Sequence, residues 1–330
     1  MAALGAPWPG AVAVSGGGDS LALMHLLRDW AKRARVAPPV ILTVDHGLQE
    51  NSAAHARSVV RWARKLGLKA HLLRWIGEKP EGDVEAAARD ARYRLMGAWC
   101  RKHGVAALYV GHTRDDQAET FLLRLARGSG LDGLAAMRPL SPYPVSGFAE
   151  LGLVRPLMAF ERDALRTHLT GRGQEWIEDP MNADPRFGRV RIREALGVLG
   201  IPAERFADAA AHLGRAREAL DAVTGAVLRR ACRPDGAGIL VEAAALTSAP
   251  REVGLRALAR LLMTVSDQPY RPRFERLERL FDRLAQDRLG AGCTLHGCKI
   301  APAPASRAYF GTDTLLISPE KGRRPRDTTS

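Results

Sequence analysis

The chain has 330 residues, 46% hydrophobic and 26% charged, the balance of a soluble globular protein with room for two domains at roughly 150 residues each. It has no stretch of ~18 consecutive apolar residues that would cross a membrane, no Lys or Arg before Arg28 and four scattered cysteines (Cys100, Cys232, Cys293, Cys298). These features exclude a disulfide framework and argue against a membrane partner or secretory leader, so the expected location is cytoplasmic. The net charge of +13 favours a polyanionic partner, since each neutralised phosphate releases counterions.

In chain order, Val12–Val14 reads as a buried strand, followed by a Gly-rich loop and a helix carrying Leu21, Leu23, Leu26 and Leu27. Val40–Val44, Ala70–Trp75, Ala107–Gly111 and Leu153–Arg155 read as further strands. Between them lie a helix through Val59, Val60, Ala63 and Leu66, a long helix over Val84–His103, and one over Thr113–Arg127. Continuously apolar strands alternating with helices predict an α/β domain, a parallel sheet with helices on both faces. Ligands of such sheets bind at the carboxyl ends of the strands. Beyond residue 200 the pattern becomes helical, with Ala203–Arg230, Arg251–Met263 and Phe274–Asp287, and ends in strands over Gly292–Ile300 and Ala308–Ile317. The expected organisation is a catalytic domain over 1–200, a smaller, mainly helical α+β domain over 201–320, and a basic, disordered tail over 321–330.

After the first strand stand Ser15, Gly16, Gly17, Gly18, Asp19 and Ser20. Small residues there let backbone N–H groups converge on an anion at a helix N-terminus. The Lys-Ser/Thr pair of a Walker loop is missing, and Leu21 replaces the last Gly of a dinucleotide fingerprint. Asp19 inside a phosphate cradle implies Mg²⁺, because a bare carboxylate would repel the ligand. A plain helix-capping turn is the blander account. At the end of the second strand, Asp45-His46-Gly47-Leu48 fits nucleotide contact and an ordinary turn about equally. After the fourth, Gly111-His112-Thr113-Arg114-Asp115-Asp116-Gln117-Ala118-Glu119-Thr120 places three carboxylates, Asp115, Asp116 and Glu119, on adjoining faces of a helix start. They suit a cation, either Mg²⁺ or an ammonium, although acids also favour an exposed helix N-terminus for its dipole alone. His112 beside them can meet a phosphoryl oxygen.

Together these segments resemble the tRNA(Ile)-lysidine synthetases, a family of ATP pyrophosphatases with this type of loop. The resemblance rests on Ser15–Ser20, Val44–Leu48, Glu85-x-x-x-Arg89-Asp90-Ala91-Arg92-Tyr93 and Gly111–Thr120. It continues through Arg127-Gly128-Ser129-Gly130-Leu131, Arg155-Pro156-Leu157 and Trp176-Ile177-Glu178-Asp179-Pro180-x-Asn182-x-Asp184. It implies that O2 of the wobble cytosine in an isoleucine tRNA with a CAU anticodon attacks the α-phosphate of ATP and releases pyrophosphate. The ε-amine of free lysine then attacks C2 and expels AMP. The resemblance places pyrophosphate on Ser15–Ser20, Mg²⁺ on Asp19, nucleotide near Asp45, and Arg92 and His112 against the α-phosphate or adenylated base. It gives lysine to Asp116 and Glu119, with Asp115 or Asp116 as proton acceptor.

Arg89 and Arg92 would otherwise read as a solvated helix face. Arg189, Arg191 and Arg193 interleave with apolar residues and suit tRNA contact, or equally a helix-surface charge run. Val190 stands where the family has Asn. The alternative function is a tRNA thiolase or another pyrophosphate-releasing ligase. Against a thiolase, Cys293 and Cys298 lack Cys-x-x-Cys spacing, and the cysteines are expected to pack in the C-terminal strands. A homodimer is compatible with the sequence.

Overall fold

The computed structural model describes residues 5–77, 84–178, 188–268 and 270–320. The expected tail 321–330 and the Asp179–Asp184 part of the family motif lie outside these residues. The chain divides into two compact units, Met1–Gly214 and Arg215–Ser330.

In the first unit, β1 (Ala11–Ala13), β2 (Val40–Asp45), β3 (Ala70–Arg74), β4 (Ala107–Tyr109), β5 (Leu140–Pro142) and β6 (Gly152–Val154) form one sheet in the order β3-β2-β1-β4-β6-β5. All pairings are parallel except β5 with β6. The parallel strands are those expected. The antiparallel edge strand β5 was not, because Leu140-Ser141-Pro142 is short, half exposed and holds a proline. The helices are α1 (Gly18–Ala34), α2 (Ser52–Lys65), α3 (Val84–Lys102), α4 (Arg114–Leu125), α5 (Leu131–Leu134), α6 (Arg162–Thr170), α7 (Gly188–Leu199) and the start of α8 (Ala203–Ala231).

Two apolar layers cover the sheet. Leu21, Met24, Val59, Ala63, Leu165 and Leu169 pack from α1, α2 and α6. Tyr93, Met96, Cys100, Tyr143 and Phe148 form the other layer. The chain passes from β1 outward to β3 and then crosses back to β4 on the other side of β1. The strand order therefore reverses between β1 and β4, the place where ligands of open α/β sheets bind. Both candidate motifs emerge there.

The second unit holds β7 (Cys232–Asp235), β8 (Gly238–Glu242), β9 (Cys293–Leu295), β10 (Cys298–Pro302) and β11 (Thr314–Pro319) in the order β7-β8-β11-β10-β9, antiparallel throughout. With it are α9 (Ala243–Thr247), α10 (Arg251–Ser266) and α11 (Phe274–Ala285), whose Leu258, Leu262, Leu277 and Phe281 share a core with Ile300 and Ile317. The single strand expected over Gly292–Ile300 is a hairpin. His296 and Gly297 both take positive φ (56° and 73°), the condition for a two-residue turn whose twist matches its strands. The strand expected over Ala308–Ile317 begins only at Thr314, after two short 3₁₀ turns. Cys293 and Cys298 do lie in these strands, and all four cysteines are free thiols.

Candidate active site

The loop after β1 is built from its own side chains. The Ser15 N–H donates to Ser20 Oγ (3.2 Å), and the Ser20 hydroxyl donates to the Gly17 carbonyl (2.9 Å). Gly16 has φ +98°, and a Cβ there would lie 2.6 Å from Ile177. The Ile177 N–H also donates to the Gly16 carbonyl (2.9 Å). Gly17 is the N-cap of α1, and no side chain caps the helix. The first-turn N–H groups therefore face outward, an anion site without a built-in occupant. Gly111 brings the end of β4 against this turn, since a Cβ on it would stand 2.9 Å from the Asp19 carbonyl oxygen.

At the start of α4, Thr113 and Asp116 form a capping box. The Thr113 N–H donates to Asp116 Oδ2 (2.8 Å), the Asp116 N–H donates to Thr113 Oγ1 (3.4 Å), and the Thr113 hydroxyl reaches the same Oδ2 (3.0 Å). Asp116 and Glu119 are buried, at 7% and 2% exposure. The partner of these acids is a residue that sequence reasoning missed. Arg162, the first residue of α6, points its guanidinium into the cluster. Its Nε is 3.2 Å from Asp19 Oδ2, Nη2 3.4 Å from Asp116 Oδ1 and Nη1 3.4 Å from Glu119 Oε1. Its backbone N–H donates to Asp115 Oδ2 (2.9 Å). Asp115 thus supplies the cap that Glu161, the N-cap of α6, does not.

Arg189 and Arg193 of α7 complete the ring, at 3.6 Å from Asp116 Oδ1 and 2.9 Å from Glu119 Oε1. Arg191, two residues from each, is exposed, whereas Val190 is buried at 7%. The residue in place of the family's Asn thus faces the interior. Two carboxylate oxygens, Asp19 Oδ1 and Glu119 Oε2, are buried with no hydrogen-bond partner among the described residues. Burial raises the Asp19 pKa above the usual carboxylate value, against the pull of Arg162.

The opposite side of the site is cationic. His112 carries a buried Nδ1 with no hydrogen-bond partner among the described residues. Burial pushes its pKa down to about 3, with Asp116 pulling upward and Arg155, Arg89 and Arg189 adding to the depression. The imidazole is neutral at physiological pH. Burial likewise lowers the Arg92 pKa, and Arg89 and Arg189 press in the same direction. The guanidiniums of Arg89 and Arg92 lie 5.1 and 5.8 Å from the centre of the Tyr93 ring. Arg155 is held by the Arg138 carbonyl (2.8 Å) and Ser141 (3.0 Å). Asp45 spends Oδ1 locally, accepting from the Ser52 hydroxyl (2.7 Å) and the Gly47 N–H (3.2 Å).

The arrangement is bipolar. An uncapped anion loop and the cluster of Arg89, Arg92 and Arg155 suit phosphates, while Asp116 and Glu119 suit a cation. An α/β sheet with this loop after β1 and acids after β4 defines the PP-loop class of nucleotide-binding proteins. A family model described as a PP-loop domain matches residues 9–199. The chain is 42% identical over 291 residues to the tRNA(Ile)-lysidine synthase of Ruegeria pomeroyi, covering 87% of this chain and 68% of that protein. It is 40% identical to the tRNA(Ile)-lysidine synthase of Methylobacterium nodulans, covering 95% and 91%. The chain belongs to the tRNA(Ile)-lysidine synthase family. A solved structure, the U34-tRNA thiolase NcsA from Methanococcus maripaludis with its [4Fe-4S] cluster, is similar at 16% identity with a TM-score of 0.49, over 64% of this chain and 71% of that one.

Proposed function

We propose that this chain is the ligase that attaches free lysine to C2 of the wobble cytidine of an isoleucine tRNA with a CAU anticodon, consuming ATP. The observation that carries the reading is the bipolar site. An anion loop and an arginine cluster lie at the same sheet edge as two buried carboxylates, one of which has an oxygen with no partner among the described residues.

The first step forms a bond from cytosine O2 to the α-phosphorus and breaks the bond to pyrophosphate. The first-turn N–H groups of α1, which no side chain caps, hold the departing pyrophosphate, which is electrostatic stabilisation of developing charge. Arg92 and neutral His112 face the transferred phosphoryl group, and His112 can donate one hydrogen bond without bringing a further positive charge. Asp19 fits a divalent cation held chiefly by the phosphates, because its Oδ1 is a buried acceptor with no partner among the described residues. Asp19 would hold Mg²⁺, which when bound offsets phosphate charge.

The second step forms the bond from lysine Nε to C2 and breaks the bond to AMP, and the proton the amine loses passes to the Asp116 carboxylate. Asp116 Oδ1 and Glu119 Oε2 receive the ammonium in this reading. Asp115 is the helix-positioning member of the trio, because Oδ2 already accepts from the N-terminus of α6. The location proposed for this chemistry is the cytoplasm, where free lysine, ATP and tRNA meet. Among the described residues no helix is long and apolar enough to cross a membrane.

Burial holds the pKa of Cys100 at about 12 and of Cys232 and Cys298 at about 11. These are protonated thiols, poor nucleophiles and poor metal ligands, which supports lysine over a sulfur donor. The test is incubation with ATP, Mg²⁺, labelled lysine and bulk tRNA. The expected result is label in RNA with equimolar AMP and pyrophosphate. Pyrophosphate released without lysine entering RNA would refute the assignment.

A further inference from the structure

We propose that the outer face of α2 and the adjoining edge strand β3 form a second contact surface for the tRNA, gripping its phosphate backbone away from the reacting base. This rests on the reading that tRNA is the substrate. The starting observation is the charge of α2. Its fourteen residues include Arg57, Arg61, Arg64 and Lys65 and no Asp or Glu. Ser52, Ala56, Val59 and Ala63 are buried, and all four basic side chains are exposed. None of them forms an ion pair with a described residue, and the hydrogen bond recorded among them joins Arg61 to Ser58 (3.1 Å).

Folding does not account for this arrangement. Arg64 and Lys65 lie in the last turn, where they complement the helix dipole, but that reward falls off within one turn and does not reach Arg57 or Arg61. Arg57 with Arg61, and Arg61 with Lys65, are like charges at i, i+4, a spacing that destabilises a helix. The row therefore weakens α2 in the free protein, and an anion laid along it would reverse the sign.

The row also has a shape. The four side chains rim a shallow cavity of about 600 Å³ whose floor is Val60 with Ala70 and Leu72 of β3. β3 ends the sheet, so this side is open to a long ligand. Lys69, exposed just before β3, extends the same charge. A basic rim over an apolar floor suits a sugar–phosphate chain better than a lone phosphate. From Arg57 to Lys65 the row runs about 12 Å along the helix axis at ~1.5 Å per residue. Its near end lies close to the sheet's ligand edge, because Ser52 at the start of α2 is bonded to Asp45 at the end of β2 (2.7 Å). A backbone on this row leads toward the site that takes the base.

The test compares wild-type protein with an Arg57→Gln/Arg61→Gln/Arg64→Gln variant. Glutamine is a good helix former, so α2 should persist, and unchanged ATP affinity checks the active site. Affinity for unmodified tRNA is measured from 50 to 300 mM salt. The expected result is at least about a tenfold loss at 100 mM salt, with the log–log salt slope reduced by about 2 to 3, near 0.9 for each phosphate no longer neutralised. Equal affinity and equal slope overturn the proposal, even where lysine incorporation is intact. Binding of phosphatidylserine vesicles that is lost in the variant while tRNA affinity is kept overturns it in favour of a membrane surface. Wild-type protein that binds tRNA but never incorporates lysine refutes the catalytic reading alone, because the salt comparison still decides the groove.

Discussion

Replacing Arg162 with methionine tests whether its guanidinium holds the acidic cluster together. The side chain is 16% exposed and touches Asp19, Asp116 and Glu119 at 3.2 to 3.4 Å. After its loss Glu119 keeps Arg193 at 2.9 Å, and Asp116 keeps Arg189 at 3.6 Å together with Thr113. Asp19 is the loser, since Arg162 is the hydrogen-bond partner of its side chain and Oδ1 already has none. Removing one partner of a fully buried ion pair costs ~3–5 kcal/mol, so these longer and partly hydrated contacts should cost about 2 to 3 kcal/mol. All six tryptophans lie within Met1–Gly214, so urea unfolding followed by tryptophan fluorescence reports on this unit alone. In an Asp19→Asn background the cost should shrink by about 1 kcal/mol or more, because the charge left stranded has been removed. A cost below about 0.5 kcal/mol, or an equal cost in both backgrounds, would refute the reasoning.

His112 makes stability pH-dependent in a direction fixed by its depressed pKa. Between its ordinary value of 6.5 and about 3 the unfolded chain binds a proton that the folded chain refuses. Its contribution is complete above pH 6.5 and declines as the pH falls, by up to about 1.4 kcal/mol per pH unit. His112→Asn should flatten the stability profile between pH 6.5 and 4.5, and an unchanged slope would count against a buried neutral imidazole. Glu119→Gln keeps the shape but removes the charge, and should raise the KM for lysine about tenfold or more, as loss of a charged hydrogen bond does, while the KM for ATP moves less than twofold. Steady-state kinetics with each substrate varied separately will decide that case. Asp19→Asn should abolish pyrophosphate release, and full turnover in that variant would remove the loop from the chemistry. Thr113→Ala should cost about 1 kcal/mol through the lost cap, read from the same urea curves.

What the sequence made legible was local. The strands β1 and β4 are apolar runs and β2 nearly so, whereas β3 carries His71 and Arg74. Ser15–Ser20 and Gly111–Glu119 are each contiguous, so a window of ten residues shows either the loop or the acids. The capping box of Thr113 and Asp116 was readable from their spacing of three. Arg162 was not, because its partners Asp19 and Asp116 lie 143 and 46 positions away, and they meet it only where α6 packs on α1 and its first residue is bonded to Asp115 of α4. The nine residues of α6 hold too few turns to declare a helix by periodicity. For Arg189, Arg191 and Arg193 a flat reading could not separate the members. On α7 the first and third, four apart, reach the acids, while Arg191 between them is exposed. The signal available was that i, i+4 spacing, set against the acids of α4. In the second unit, Gly236-Ala237 and His296-Gly297, the two-residue turns between paired strands, were the overlooked marks of hairpins.

The acids of this site divide their oxygens between holding the fold and, in the proposed reading, meeting a ligand, and that division dictates which substitutions are informative. Asp115 spends Oδ2 on α6 and Asp116 spends Oδ2 on its own helix start, while Asp116 Oδ1 faces Arg162 and Arg189. An alanine at either position removes cap and charge together, so loss of activity there says nothing about chemistry. Asparagine separates them. In Asp116→Asn the amide carbonyl can still accept from the Thr113 N–H, so most of the roughly 1 kcal/mol worth of the cap is kept. The negative charge opposite the guanidiniums is gone. The expected outcome is a unit destabilised by about 1 to 2 kcal/mol, because the amide NH2 now faces Arg162 and Arg189, but by less than in Asp116→Ala, and one that binds lysine about tenfold more weakly or worse. Destabilisation matching that of Asp116→Ala, with lysine affinity unchanged, would mean that Asp116 serves the helix alone and that Glu119 meets the ammonium without it.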